Sequence, residues 1–520
     1  MWISLFQRRN SFVPYVFLLI FTLILRIPSL DKHHILTDEA TYYICAQRVV
    51  EQGKNYTDAW DNKPPLVVGL YSFMYRIFGT HSLLAIKILA IFWIYFTGLL
   101  IAEIANNFRL LPEFSLLPAY FYIILSSIPW HTQELNAELL MNLPVVISIF
   151  YLIKYTDEVG QYDEWVFTKI GLCLFFAVWF RYQAITHIIG VLIAYLFVFA
   201  AKPKHLFEML FFLFLPMFIY GFIRWVTGHW DKFWDIGILY NLDYILIGRN
   251  PFEVLSVRQS LLDIVRSWGI FIIIGFIGFL LWYFGHISYN VQRQKGQTII
   301  TICTLTAVLG IFLGIRRLYF HYILQTAPFL SLFLSVFFLT LQKQWLKSIS
   351  WLCILAIVGF NLCLYAIVAS PLIYNYLLSQ KLIKKGGWIS QQHAVYHDLS
   401  LQWANFEKIV HLHSEPEERI LILSYRPEWY VKLNRKCATY YTNFSIAYYK
   451  MDFFKHNQNR KLISAKEKLP QVYQALSQDM PALFIDEHNL FGQLQYYLPT
   501  LLNRYRKVPT SVADVYVRTK

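Results

Sequence analysis

Runs of roughly twenty apolar residues recur from residue 12 to residue 371 of this chain, and no other feature limits its fold so strongly. A run of that length crosses the hydrocarbon core of a bilayer as a helix. Within lipid every backbone N–H and C=O must find its partner inside the spanning segment, so helices packed into a bundle follow. The apolar pattern places spans near 12–30, 82–105, 111–128, 137–155, 166–182, 184–201, 206–226, 264–285, 297–315, 318–341 and 349–371. The expected fold is a polytopic α-helical membrane protein with about eleven transmembrane helices.

Charge supports the same class. Only 15% of the residues are charged, where a soluble chain carries about a quarter. The net charge of +14 is spread over the loops that flank the spans, and no nucleic-acid motif accompanies it. Positive-inside topology and attraction to anionic headgroups account for it, so the expected partner is the lipid bilayer and not nucleic acid. The six cysteines lack metal-type spacing, and four of them, Cys173, Cys303, Cys353 and Cys363, lie in apolar segments. Arg8 and Arg9 precede the first apolar run without a small-residue cleavage site, which reads as a retained first helix.

Placing the N-terminus inside puts Arg109, Lys154, Lys202, Lys204, Arg293, Lys295, Lys343 and Lys347 on the cytoplasmic side. An odd number of crossings then leaves the C-terminal region outside. The expected division is a membrane domain over 1–377, with a first outer loop at 31–81, and a small extracytoplasmic α/β domain over 378–520. Residues 420–425, 482–485 and 512–518 read as strands, with helical patterns at 470–478 and 489–505. Several cations fall on the outer side against the topology rule: Lys63, Arg181, Arg224, Arg249, Arg316 and Arg317. An anionic ligand at the outer membrane surface would account for them.

The first outer loop begins LTDEATYY. Thr37 can cap a helix starting at Asp38, with Tyr42, Cys45 or Ala46, and Val49 forming an apolar stripe and Glu39, Gln47, Arg48 and Glu51 off it. Such an amphipathic helix would lie along the membrane interface. Asp38 and Glu39 in its first turn suit a base or a metal ligand, and equally a helix start favoured by the dipole. Glu134 and Glu138 open the fourth span four residues apart, a spacing that shares a helix face. Arg181 and Gln183 close the fifth span. Arg316, Arg317, His321 and Tyr322 crowd the turn between two later spans, with Pro328 expected to kink the second. Arginine clusters hold phosphate through forked, charge-assisted hydrogen bonds.

DEATYY followed by G-x-x-Y and KPPL, here Asp38, Glu39, Tyr42, Gly53, Tyr56, Lys63, Pro64, Pro65 and Leu66, resembles the first outer loop of C-type glycosyltransferases that use polyprenyl-phosphate sugars. The likeness is to the bacterial branch with lipopolysaccharide-core galacturonosyltransferases, the lipid A aminoarabinose transferase and relatives of protein O-mannosyltransferases. NAELLMNLP resembles the second acidic site of that family and HYILQTAP its late His-Tyr-to-Pro segment; together the likeness covers roughly residues 10–340. The resemblance implies Asp38 as the catalytic carboxylate beside Glu39, Glu138 as the second acidic site, and Lys63 as a phosphate or acceptor contact. Where the family often carries lysine this chain has Arg181.

The expected function is a glycosyltransferase of the bacterial cytoplasmic (inner) membrane. It would move a sugar from a polyprenyl-phosphate donor to an envelope lipid, glycan or protein acceptor on the outer face, with inversion. Asp38 would take the acceptor proton, and Lys63, Arg181, Gln183, Arg316, Arg317, His321 and Tyr322 would hold the donor phosphate. The sequence leaves open whether a divalent metal ion joins the acidic residues. The alternatives are a transporter or flippase of a lipid-linked substrate, and an O-antigen ligase or polymerase. A transporter usually carries ionisable groups at the midplane of repeated halves; here the charges gather at one rim and no repeat is visible.

Overall fold

The computed structural model describes residues 12–30, 35–53, 61–107, 116–127, 132–157, 164–199, 202–242, 257–285, 291–313, 320–341, 371–383, 401–424, 426–439, 480–487, 499–508 and 512–519, with a few isolated positions between them. In chain order the main helices are α1 (Val13–Arg26), α2 (Thr37–Gln52), α3 (Pro65–Phe78), α4 (Ser82–Asn107), α5 (Leu117–Leu125), α6 (Ala137–Asp157), α7 (Val166–Phe180), α8 (Ile185–Val198) and α9 (Pro203–Val226). They continue with α10 (Val257–Gly285), α11 (Val291–Leu313), α12 (Ala327–Leu341), α13 (Leu401–Leu412) and the short α14 (Glu428–Lys432). The chain forms two compact units: residues 1–30, 63–67 and 86–362, and residues 31–62, 68–85 and 363–520.

The first unit is the helical bundle. Among the described residues six helical stretches are long and apolar enough to cross a membrane, and three shorter apolar helices, including Val166–Phe180 and Tyr182–Val198, accompany them. The expected span near 349–371 lies outside the described residues apart from isolated positions, and among the described residues of 111–128 the helix is α5, nine residues long. Helix α6 is the hub: 78% of its apolar window is buried, and it packs along α7. Helix α9 also packs on α7 but buries only 11% of its window, leaving Phe207, Phe218, Phe222 and Trp225 exposed. Those exposed rings suit contact with lipid tails. Where α10 crosses α12 the backbones touch: a Cβ on Gly278 would overlap the Phe333 carbonyl oxygen, so only glycine permits the approach.

The second unit is built on a five-stranded sheet of order β2-β1-β3-β5-β4. Its strands are β1 (Arg419–Leu423), β2 (Lys436–Cys437), β3 (Leu483–Asp486), β4 (Tyr505–Val508) and β5 (Asp514–Arg518). The first three run parallel; β5 is antiparallel to both β3 and β4. Helix α2 is part of this unit. Ile44 enters the core of Phe406, Val410, Ile420, Ile422 and Trp429, and Arg48 donates to the Cys437 carbonyl at 2.9 Å. Glu51 takes Arg419 at 2.8 Å and Lys436 at 3.2 Å. On the other side Tyr42 meets Tyr71 edge-to-face at 5.5 Å, and Cys45 packs with Ala59 and Val68.

This enclosure corrects the expectation that only one stripe of the helix is covered. Glu39 and Arg48, expected off the apolar stripe, are 0% and 5% exposed, because α2 is covered from two sides. The N-cap position is Leu36 and not Thr37, whose hydroxyl instead lies 3.5 Å from Glu428. Gly53 ends the helix at φ +118°, a backbone conformation that L side chains rarely adopt.

Candidate active site

In the bundle, Glu138, Arg181, Gln183, His321 and Tyr322 come together. Asn136 sets the first position: its side-chain oxygen accepts the Leu139 N–H at 2.9 Å and so caps α6. Glu138 therefore stands in the first helical turn, where the dipole favours a negative charge. Glu134 precedes the helix, in the non-helical 132–136 segment, so the expected i, i+4 face shared with Glu138 does not exist; both are buried nonetheless.

Arg181 stands at the break between α7 and a single 3₁₀ turn, Tyr182–Ala184. Its extended backbone, φ −151° and ψ 121°, interrupts the helix at this residue. Nη2 reaches Glu138 Oε1 at 2.8 Å, Nε donates to Gln183 Oε1, and the guanidinium lies over the Tyr322 ring at 5.2 Å. His321 Nε2 approaches the same Glu138 oxygen at 3.6 Å. The Arg181 and Glu138 side chains are 7% and 1% exposed, so this is a buried ion pair. His321 and Tyr322 arrive on a 3₁₀ segment, Phe320–Thr326, which ends where α12 begins. Pro328 was expected to kink that span; it sits in the first turn of α12, where a missing N–H costs nothing. Asn142 holds the segment against α6 by donating to the Leu324 carbonyl at 3.0 Å.

A second set of buried polar residues, not singled out from the sequence, braces the loop before α6. Arg26, 0% exposed at the end of α1, donates to the carbonyls of Ser126 (3.2 Å), Thr132 (2.6 Å) and Gln133 (2.6 Å). The Gln133 side-chain amide donates to the carbonyls of Leu25 and Ser127. Lys87 is likewise buried and donates to the Ser29 carbonyl. An arginine closing an apolar run and a lysine near the start of another were the available signals, since ionisable groups at membrane depth are costly.

Of the other expected site residues, Asp38 and Glu39 lie in the second unit on the first turn of α2. Asp38 is half-buried and Glu39 fully buried, so Asp38 is the carboxylate of the pair that can meet a ligand. Lys63 is half-buried just before Pro64 and Pro65, the latter opening α3. Arg316 and Arg317 lie outside the described residues. Among the described residues no three His, Cys, Asp or Glu side chains gather as a metal-binding group. The guanidinium 2.8 Å from Glu138 also disfavours a cation there, so the groups around this carboxylate do not fit a metal.

No family model and no curated protein matches the sequence. Solved structures match in fold. ArnT from Cupriavidus metallidurans bound to undecaprenyl phosphate aligns with a TM-score of 0.58 at 13% identity, over 97% of this chain and 98% of that one. The same protein in the apo state gives 0.56 at 12% identity, over 96% and 97%. The apo oligosaccharyltransferase of Archaeoglobus fulgidus gives 0.50 at 12% identity, over 95% of this chain and 72% of that chain.

Proposed function

We infer that this chain, which has the fold of the C-type glycosyltransferases, is a membrane glycosyltransferase drawing its sugar from a polyprenyl-phosphate donor. The observation that carries the reading is the buried guanidinium of Arg181, held by Glu138 and Gln183 over Tyr322 at the end of α7. A fixed, desolvated guanidinium is suited to an anionic group that gains charge during reaction. The C. metallidurans structure binds undecaprenyl phosphate, a ligand with such a group.

In the reaction we propose, the Asp38 carboxylate takes the acceptor hydroxyl proton as that oxygen bonds to the anomeric carbon. The bond from the anomeric carbon to the phosphate oxygen breaks, and its electron pair leaves on the polyprenyl phosphate. Phosphate is already a good leaving group, so a strong general acid is unnecessary. Arg181, with Lys63, Arg316, Arg317, His321 and Tyr322 as further phosphate contacts, would stabilise the negative charge that develops. Direct displacement inverts the anomeric centre. Glu138 is paired with Arg181, and its part is to hold the guanidinium in place. Glu39, fully buried, supports α2 beside Asp38. We place the reaction at the outer face of a bacterial cytoplasmic membrane, with the N-terminus inside, residues 378–520 outside, and an envelope lipid, glycan or protein as acceptor.

The test supplies labelled polyprenyl-phosphate sugars to membranes holding the wild-type chain or Asp38→Asn. Loss of a general base lowers transfer by about 10²–10⁴-fold. Full transfer by a folded Asp38→Asn chain removes the base assignment, and movement of the donor across the bilayer without glycosidic bond formation establishes the transporter instead.

A further inference from the structure

The far end of the same helices holds a cavity. Tyr155 lies seventeen residues along α6 from Glu138, about 26 Å at the α-helical rise. Thr168 and Arg181 likewise stand at opposite ends of α7. Around Tyr155 and Thr168, between α6, α7 and the start of α9, opens a cavity of ≈ 560 Å³. None of its lining residues belongs to the site proposed for transfer.

Its floor is aromatic: Tyr155, Phe167 and Phe212, with His205 stacked on Phe167 at 4.1 Å and 19°. Its cations are Lys202 and Lys204, at the N-terminus of α9. Among the described residues neither lysine makes an ion pair, although two carboxylates line the same cavity. Glu208 is engaged elsewhere, accepting the Thr168 N–H at 3.1 Å and the Thr168 hydroxyl, and so serves the first turn of α7. Glu164 is exposed in the turn before that helix. The Tyr195 hydroxyl fixes the strand of chain that brings the lysines: it accepts the Lys202 N–H at 3.1 Å and meets His205 Nδ1 at 3.3 Å. Lys295, over the Phe199 ring at 5.7 Å, adds a third cation at this end of the bundle.

The rim is apolar and open. Trp165 is 62% exposed and Phe207 69%. A pocket with two exposed lysines on a backbone held by Tyr195, and bare aromatic rings along its side, matches a ligand that is anionic at one end and greasy at the other. We propose that this cavity binds the headgroup phosphate of a membrane phospholipid, on Lys202 and Lys204 and the N-terminal turn of α9, with the acyl chains along Phe207 and Phe211. The positive-inside reading puts these lysines at the cytoplasmic leaflet. The site is independent of the transfer reaction and would anchor the α7–α9 pair in the bilayer.

Native mass spectrometry of the full-length chain in detergent tests this with phosphatidylglycerol, diacylglycerol and inorganic phosphate as separate probes. The comparison is wild type against Lys202→Gln/Lys204→Gln, with Lys202→Arg/Lys204→Arg keeping the charge. Phosphatidylglycerol should be retained by wild type and by the arginine variant, and bound roughly 25-fold more weakly by the glutamine variant, at about a factor of five for each lysine near a lipid surface. Diacylglycerol should not be retained, and sugar transfer should be equal in all three chains. Equal phosphatidylglycerol retention by the glutamine variant, or equal retention of diacylglycerol, overturns the proposal. Binding of inorganic phosphate that survives without lipid, and competes it away, reassigns the cavity to a soluble anion and overturns the lipid assignment.

Discussion

Removing either partner of the Glu138–Arg181 pair should cost more than removing both. At 2.8 Å and an effective dielectric constant near 20, the Coulomb attraction between the charges is about 6 kcal/mol. Most of that offsets the desolvation of two groups that are 1% and 7% exposed, so the pair contributes little net stability. Glu138→Gln leaves the guanidinium buried without its counter-charge, and Arg181→Gln leaves the carboxylate in the same position. Each single change should therefore cost about 3–5 kcal/mol. The double variant buries no charge; it loses hydrogen bonds alone, on the order of 1–2 kcal/mol. Unfolding of the purified chain in mixed micelles, titrated with a denaturing detergent, measures all four corners of the cycle. Arg181→Lys, which keeps the charge but loses the fork and the stacking on Tyr322, should fall between wild type and Arg181→Gln. Single costs below about 1 kcal/mol that simply add would refute the reasoning, because independent sites behave in that way.

Arg26→Gln strips buried carbonyls at Ser126, Thr132 and Gln133 of a charged donor, at a cost on the order of 3 kcal/mol; limited proteolysis should then cut within 126–136, and an uncut loop counts against the bracing role. Gly278→Ala forces α10 away from the Phe333 carbonyl and should destabilise by about 1–3 kcal/mol in the same micelle titration. In the sheet unit, burial pushes the Glu428 carboxyl above its ordinary 4.5, with the Glu487 charge adding to the shift. The folded state then binds its proton more tightly than the unfolded state, so this group lowers stability as the pH rises above 4.5. Glu428→Gln should be the more stable chain at pH 7 and match wild type at pH 4; a difference that does not change with pH removes the burial argument.

Most of the bundle was legible because the bilayer leaves a single kind of solution, and apolar length alone marks it. The strands Arg419–Leu423, Leu483–Asp486 and Asp514–Arg518 were legible from their β-branched and aromatic content. Two others were not: Lys436–Cys437 has only two residues, and Tyr505–Val508 is an edge strand whose Arg506 and Lys507 face solvent and which starts at the last residue of what reads as a helical pattern. At the site, residue types were readable and angles were not. Glu138, Arg181, Gln183, His321 and Tyr322 lie in contact, but that Arg181 would pair with Glu138 was not readable from their spacing. Glu134 missed the shared face because Asn136, a capping residue two places later, sets the helix start. The burial of Glu39 and Arg48 could not be seen locally, since part of what covers α2 is encoded near residues 406–437.

That last distance has a consequence for how the protein is made. The Arg48–Cys437 hydrogen bond spans 389 positions of sequence. At synthesis rates of about 5–20 residues per second, Asp38 emerges roughly 20–80 seconds before the partner that clasps its helix. Throughout that interval the acidic turn has half its seat missing. The newborn chain thus completes this helix's surroundings last, and a ribosome that stops short of the sheet would release α2 without the part of its cover that the tail encodes.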